Sequence, residues 1–140
     1  MIRKRLSSND PHEWLHRARS NLACAKTPVP DADLEDLCFD AQQAAEKAIK
    51  AIFVHRGERF PFTHDLDGLL TLLGQIGLKI PKYLWDADEL SPFAVEMRYP
   101  GRAAPVTPRQ YRRAVRIATA VLRWAERKII TGAKGLGGQK

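Results

Sequence analysis

The chain has 140 residues, of which 23 are Lys or Arg and 16 are Asp or Glu, and 44% of its residues are hydrophobic. This length predicts one domain that buries roughly two thirds of its unfolded surface, and the hydrophobic content excludes a disordered chain. Two cysteines are too few for a disulfide scaffold, and the longest uncharged run, Gly68 to Leu78, is too short to span a membrane. With no secretory signal visible, we expect a small cytoplasmic protein that does not associate with membranes.

The net charge of +7 is unevenly distributed along the sequence. From Arg98 to the end there are eleven basic residues and one acidic residue, whereas residues 1–97 hold twelve basic and fifteen acidic residues. Clustered positive charge favours a polyanion or an acidic protein as partner. A solvated helix face that only aids solubility is an equally good interpretation of the charge alone.

Five segments show helical periodicity, and none shows the alternation of a β-strand. The first begins at Asp10, where an N-cap Asp, a Pro and then Glu13 form a capping-box pattern, and it ends before the prolines of residues 27–30. The second begins near Asp31 or Asp33 and runs to about Arg56. It carries a broad, alanine-rich apolar stripe that allows close helix packing.

Gly57 is expected to end the second helix, which also contains Glu46 and Lys50 as a favourable i,i+4 ion pair. A third helix follows, with Thr63 as its expected N-cap. It is apolar almost all round and therefore largely buried. A shorter helical stretch is expected from Asp86 to Met97.

The last helix begins with a second capping-box pattern, formed by Thr107 and Gln110. Its wheel places an apolar face opposite an arginine stripe, with Ile117 and Trp124 at the border. The stripe consists of Arg109, Arg112, Arg113, Arg116, Arg123 and Arg127. The sequence thus predicts an all-α fold, an antiparallel up-and-down four-helix bundle with an additional short helix over residues 1–130, and a disordered Gly-rich tail over residues 131–140.

Residues 12–16 fit the H-E-x-x-H pattern of zinc proteases. His12 and His16 project away from the apolar face of the first helix, and a helix N-terminus disfavours a cation. The capping role also accounts for Glu13 by itself. We therefore expect no metal site and no cofactor, and we expect Cys24 and Cys38 to be small buried hydrophobic residues.

A longer block carries a more specific signal. It runs from Cys38 to Ala51 and is followed by Gly57, by Phe60-Pro61, by residues 63–66 (Thr-His-Asp-Leu), and later by residues 98–101 (Arg-Tyr-Pro-Gly). The order and spacing of these motifs resemble the HEPN domain family over about residues 11 to 130. The chain is similar in particular to the subfamily of small stand-alone members often encoded beside minimal nucleotidyltransferases. The resemblance implies a four-helix bundle with an additional short helix, usually as a homodimer.

The resemblance also implies two possible activities. Many members of the family are metal-independent RNases, frequently toxins neutralised by a nucleotidyltransferase antitoxin, and others bind nucleotide or RNA without catalysis. The RNases carry an R-x4–6-H motif near the start of the final helix. Arg98 matches its Arg, but no His follows His64 in this sequence, and the family often has His where this chain has Asp40. We interpret the R-x4-H spacing from Arg59 to His64 as a coincidence, because it lies in an earlier loop.

We therefore interpret the chain as a HEPN-like binding or accessory protein for a nucleotidyltransferase-type partner and for nucleotide or RNA. The predicted contacts are Arg98, Tyr99, Arg102, Arg109, Arg112, Arg113, Arg116 and Arg123. The alternative is a metal-independent endoribonuclease toxin with Arg98 and His64 as catalytic residues, since such cleavage needs an acid or base and a cation beside the phosphate. His64 has a structural interpretation as well, as a residue that packs locally. A third interpretation makes the arginine stripe the docking surface for an acidic protein.

Overall fold

The structure is a computed structural model that describes residues 2–95, 100–101 and 104–136, with side chains through residue 130. The predicted all-α bundle with an additional short helix is confirmed, and the described residues contain no strand. No helix among them is both long and apolar enough to cross a membrane. The elements are α1 (Pro11–Ala25), α2 (Leu34–His55), α3 (Leu66–Gln75), a 3₁₀ segment (Lys82–Ala94) and α4 (Pro108–Leu136).

The most enclosed helix is α2, because α1, α3, α4 and the 3₁₀ segment all pack on it. Its alanines are fully buried and allow the neighbouring helices to approach closely. Trp14, near the start of α1, packs edge-on against Phe60, just beyond the end of α2. Tyr111, in the first turn of α4, donates its hydroxyl proton to the carbonyl of Ala25 at the end of α1. α1 therefore runs antiparallel to both α2 and α4.

Two helix ends form as the sequence predicts. At the start of α4, the Thr107 Oγ1 accepts from the Gln110 amide at 3.1 Å and the Gln110 Oε1 accepts from the Thr107 amide at 2.9 Å, which is a complete capping box. At the end of α2, Gly57 adopts φ +71°. The amides of Gly57 and Glu58 bond back to the carbonyls of Val54 and Phe53, so the helix closes with a Schellman motif.

The predicted caps of α1 and α3 both need correction. Asp10 does cap α1, but Glu13 does not return to the Asp10 amide. Its carboxylate instead binds Arg3 through two hydrogen bonds of 2.8 and 2.9 Å and also accepts from the Leu6 amide and from Arg17. Hydrogen bonding by Arg3 in particular holds the pKa of Glu13 well below its usual range. Arg17 is the i,i+4 neighbour of Glu13 on α1, whereas Arg3 lies in the N-terminal segment, and helix spacing does not reveal that contact.

The cap of α3 is Asp65, whose carboxylate accepts from the Gly68 amide at 3.1 Å, and not Thr63 as predicted. Thr63 lies two residues earlier and accepts from the Asp65 amide instead. A Cβ on Gly68 would stand only 2.8 Å from the Asp65 carboxylate. The glycine therefore allows the cap to close.

Three predictions of burial need correction. Ile117 and Trp124 lie inside the core and not at its border, because α4 packs on α2, on α1 and on the 3₁₀ segment at once. In α3 only one face is fully buried, while Leu72 and Ile76 are half-buried. Cys38 is buried as predicted, but Cys24 is exposed.

The additional short element is a 3₁₀ segment that starts at Lys82 rather than Asp86 and ends at Ala94; Met97 lies outside the described residues. A 3₁₀ helix repeats every three residues, and the burial follows that period. Leu84, Ala87, Leu90 and Phe93 form the buried face. A second face carries Tyr83, Asp86, Glu89 and Pro92, which lie beside α4. The third carries Asp88 and Ser91, which lie beside the start of α3.

Helix α4 extends through Leu136, beyond the predicted domain boundary at residue 130. Residues 137–140 lie outside the described residues. The disorder of the Gly-rich tail stays a prediction.

We expect the two thiols to differ in reactivity. Burial, and secondarily the charge of Glu35, raise the pKa of Cys38 to about 12, so it holds almost no thiolate at neutral pH. Titration of the native protein with a disulfide reagent should therefore modify one thiol quickly, and both should react in denaturant. Cys24→Ala should abolish the fast reaction, whereas two fast thiols in the native wild type would contradict the burial of Cys38.

Candidate functional site

A buried group of polar side chains lies between α2 and the start of α3. Gln42, Glu46 and Lys50 follow one another at intervals of four residues, which places them on one face of α2. Glu46 accepts from the side-chain Nε2 of Gln42 at 2.7 Å and from Lys50 Nζ at 2.8 Å. It also bonds His64 Nδ1 at 2.8 Å. We call Gln42, Glu46, Lys50 and His64 the polar cluster.

The electrostatics of the polar cluster keep Glu46 ionised. Burial raises the pKa of Glu46, but the hydrogen bonds from Lys50, His64 and Gln42 together lower it by more, so the pKa lies below its usual value. Lys50 is itself buried, and its ammonium also stands 4.9 Å from the centre of the Phe60 ring. The Glu46–Lys50 ion pair predicted from the i,i+4 spacing therefore forms, and it lies within the core.

His64 is fixed at the mouth of this cluster by the loop that starts α3. Asp65 caps α3, and the next amide, that of Leu66, donates to Ser91 Oγ of the 3₁₀ segment at 3.1 Å. The imidazole is about half exposed and lines a shallow depression with Ser91, Pro92 and Val95, among others. One edge of the ring thus meets Glu46, while the other is open to a ligand.

This geometry has a chemical consequence. Because Glu46 is an ionised acceptor, His64 donates to it through Nδ1–H, and Nε2 is the ring nitrogen that does not bond Glu46. An imidazole oriented by a carboxylate in this way is suited to accept or deliver a proton. The local, structural interpretation of His64 is also satisfied, since the same bond closes the polar cluster.

The arginines of α4 fall into two groups, those that bind the 3₁₀ segment and those that do not. Arg113 binds Glu89 through two hydrogen bonds of 2.6 and 2.7 Å and stands 3.7 Å from Asp86, and Arg127 donates to the Tyr83 hydroxyl at 3.1 Å. These two arginines hold α4 against the 3₁₀ segment. Glu89 also raises the pKa of Arg113, as expected of a bidentate pair.

The other arginines of the predicted stripe are exposed and have no hydrogen bond or ion pair to any residue in the described part of the chain. They follow one side of α4 from its first turn onward. We call this group the α4 arginine face: Arg109, Arg112, Arg116 and Arg123.

The structure does not bring all the predicted site residues together. Arg98, Tyr99 and Arg102 lie outside the described residues. His64 and Arg113 lie on opposite sides of the last turns of the 3₁₀ segment, where Pro92 lines both the His64 depression and a groove against α4. Val95 is the last described residue along the chain that lines the His64 depression, and it precedes Arg98 by three residues in the sequence.

The polar cluster is the part of the site that sequence reasoning missed. Sequence spacing predicts the Glu46–Lys50 ion pair but not its burial, and it assigns no role to Gln42. The available signal was the run of alanines around them, at positions 41, 44, 45, 48 and 51, which are all fully buried. A helix enclosed on so many sides cannot keep its polar face in water.

Two residues of the H-E-x-x-H pattern, His12 and Glu13, have other partners in the fold. His12 bonds the Asp10 carboxylate at 3.1 Å, and Glu13 is occupied by arginines. Within the described residues no three His, Cys, Asp or Glu side chains come close enough together to hold a metal ion.

Comparison with known proteins identifies the family to which this helical chain belongs. The HEPN domain model matches residues 11–128, so the chain belongs to the HEPN domain family. The crystal structure of TT1696 from Thermus thermophilus is similar, with a TM-score of 0.76 and 31% sequence identity, over 86% of this chain and 98% of that chain. The crystal structure of ST0689, an archaeal HEPN homologue, has a TM-score of 0.70 and 25% identity over the same shares of the two chains. No curated protein matches the sequence.

We expect Glu46→Gln to destabilise the fold by about 3 to 5 kcal/mol at pH 7, because it leaves the buried Lys50 charge without its partner. A depressed carboxylate pKa stabilises the fold above the unfolded-state pKa and loses that effect as pH falls through the folded-state value. The difference between variant and wild type should therefore shrink in acid. Urea unfolding at neutral and acidic pH measures both effects.

The matched control for this change is Glu58→Gln, because Glu58 is exposed and no ion pair is recorded for it among the described residues. The free energy of unfolding of that variant should lie within about 0.5 kcal/mol of the wild-type value. An equal cost for both variants would show that the Glu46 ion pair does not stabilise the core.

Proposed function

We propose that this HEPN-domain protein is a binding protein for RNA or nucleotide and that the α4 arginine face is its contact surface. The observation that carries the proposal is the separation of the α4 arginines into two groups. Arg113 and Arg127 are occupied by the 3₁₀ segment, whereas Arg109, Arg112, Arg116 and Arg123 are exposed and unpaired within the described residues. Four unpaired guanidinium groups on one helix form a surface for phosphates.

The energetics of the helix support a function for this charge. Arg109 and Arg112 are three residues apart, and Arg112 and Arg116 are four apart, so like charges face each other along the helix. Each such pair costs about 0.2 to 0.5 kcal/mol. A face that lowers the stability of its own helix is typical of a binding surface.

The chemistry of arginine favours phosphate as the ligand. The guanidinium remains charged at all physiological pH values, and its planar fork binds two phosphate oxygens at once. The predicted loop contacts Arg98, Tyr99 and Arg102 belong to the same proposal as further ligands of the polyanion.

We further propose a nucleotidyltransferase-type partner protein and a homodimer, together with a cytoplasmic location. The support is the resemblance of residues 38–66 and 98–101 to the stand-alone HEPN proteins encoded beside nucleotidyltransferases. Light scattering of the purified chain tests the dimer. Co-expression with the product of the neighbouring gene tests the partner.

The triple change Arg112→Gln, Arg116→Gln and Arg123→Gln should weaken RNA binding and reduce its salt dependence. If each arginine contacts one phosphate, the slope of log K against log salt concentration should fall by about 2 to 3. The melting temperature should stay the same or rise slightly, because the variant removes like-charge repulsion. Fluorescence anisotropy with labelled RNA over a salt series measures the slope.

A matched control removes three exposed basic residues away from α4, in the change Arg5→Gln, Arg59→Gln and Lys79→Gln. Both triple variants lose the same formal charge, so only a localised site distinguishes them. Equal loss of affinity would show a non-specific effect of net charge. Unchanged RNA binding with loss of binding to an acidic protein would instead support the docking interpretation of the stripe.

The oriented imidazole favours a second candidate function, that of a metal-independent endoribonuclease. His64 is held by Glu46 at 2.8 Å and exposes its other nitrogen, as a general acid or base requires. Arg98, three residues beyond the His64 depression in sequence, is the cation proposed to stabilise the phosphorane. In this candidate function, Glu46 positions the imidazole and does not touch the RNA.

If this second function is correct, RNA cleavage should persist in EDTA and should fall about 100-fold or more in His64→Ala and Arg98→Ala. His12→Ala is the matched control, because the His12 side chain is 58% exposed, close to the 55% of His64, and it also bonds a carboxylate. Equal activity of the His64 and His12 variants, or cleavage that requires a divalent metal, would exclude the mechanism.

A further inference from the structure

Tyr83 stands at the edge of a groove between the 3₁₀ segment and α4. The three-residue period of the 3₁₀ segment places Tyr83 on the same face as Asp86 and Glu89, which is the face towards α4. The residue is 46% exposed, and its hydroxyl accepts from Arg127 Nη2 at 3.1 Å. An aromatic ring is therefore held in place while part of it remains open to solvent.

The floor of the groove is apolar. Leu84 comes from the 3₁₀ segment, and Ile117 and Val121 come from α4. All three are buried core residues whose outer atoms line the groove. Ala120 keeps the groove open, because its side chain is small. A flat, apolar group can lie on this floor beside the Tyr83 ring.

The rim of the groove is positively charged on its α4 side. Arg116 lines the groove, and Arg123 lies seven residues further along, on the same side of the helix. Asp86 also lines the groove, but it faces Arg113 at 3.7 Å, and Arg113 is further neutralised by Glu89. The unpaired charge at the rim is therefore cationic.

An exposed aromatic ring beside unpaired arginines is the combination used to bind single-stranded nucleic acid. Unpaired bases stack on aromatic side chains, and the arginines hold the backbone phosphates. In a duplex, the faces of the bases are covered by their neighbours, so an intact duplex can use the arginines but not the ring.

We propose that the groove binds one unpaired base of a single-stranded RNA, which stacks on Tyr83 while adjacent phosphates bind Arg116 and Arg123. This inference rests on the proposed function and deepens it by naming the class of nucleic acid. The α4 arginine face supplies affinity for any polyanion, and Tyr83 selects the single strand.

Tyr83→Ala should weaken binding of an unstructured RNA of about a dozen nucleotides by about tenfold and change duplex RNA binding by less than about twofold. Tyr83→Phe keeps the ring and should bind like wild type. Ala120→Leu fills the groove and leaves the Tyr83 side chain unchanged in sequence, and it should weaken single-strand binding selectively as well. Fluorescence anisotropy at one fixed salt concentration measures both RNAs, with circular dichroism to confirm folding of each variant.

Phe62→Ala is the matched aromatic control, because Phe62 is fully exposed near His64 and away from the groove. It should leave both affinities unchanged. Equal losses for Phe62→Ala and Tyr83→Ala, equal losses on single strand and duplex, or no loss in Tyr83→Ala would each overturn the inference. If the arginine variants still lose binding in those cases, the proposed function stands without it. If the wild-type protein binds neither RNA, that result contradicts the proposed function itself.

Discussion

The buried carboxylate of Glu46 is the constraint on which the arrangement of α2, α3 and their connecting loop depends. An ionised group inside a protein costs several kcal/mol unless charged and hydrogen-bonding partners replace water. Glu46 obtains those partners from Gln42 and Lys50 on its own helix and from His64 in the following loop. The position of His64 thus follows from the requirements of a core charge. The same hydrogen bond that stabilises the fold also fixes the orientation of the imidazole.

The 3₁₀ segment connects this cluster to the arginines of α4. Its three-residue period gives it a buried face, a face towards α3 and a face towards α4, so one short element contacts all three neighbours. Ser91 binds the start of α3, and Glu89 binds Arg113 on α4. The pairing by Glu89 also decides which arginines remain available for a ligand. Residues of identical chemistry on one helix therefore differ in that some hold the 3₁₀ segment and others remain unpaired within the described residues.

Local sequence patterns predicted much of the fold correctly. Thr107 and Gln110 form their capping box, and Gly57 ends α2 with a left-handed backbone, because these motifs depend only on residues within one helical turn. Glu13 fits a capping pattern equally well, yet it binds Arg3 and Arg17. A carboxylate pairs with the strongest donors within reach, and the contact with Arg3 cannot be deduced from helix spacing because Arg3 lies outside the helix.

The sequence by itself determined the all-α class, the positions of the helices to within a few residues, the HEPN resemblance and the concentration of arginine on α4. These features follow from periodicity, capping chemistry and composition, which are local. Only the tertiary structure decided that the Glu46–Lys50 pair is buried, that His64 closes it, and that Arg113 differs from Arg112 and Arg116. Each of these facts depends on which side chains meet across helices, and the free energy of a charge depends on that environment.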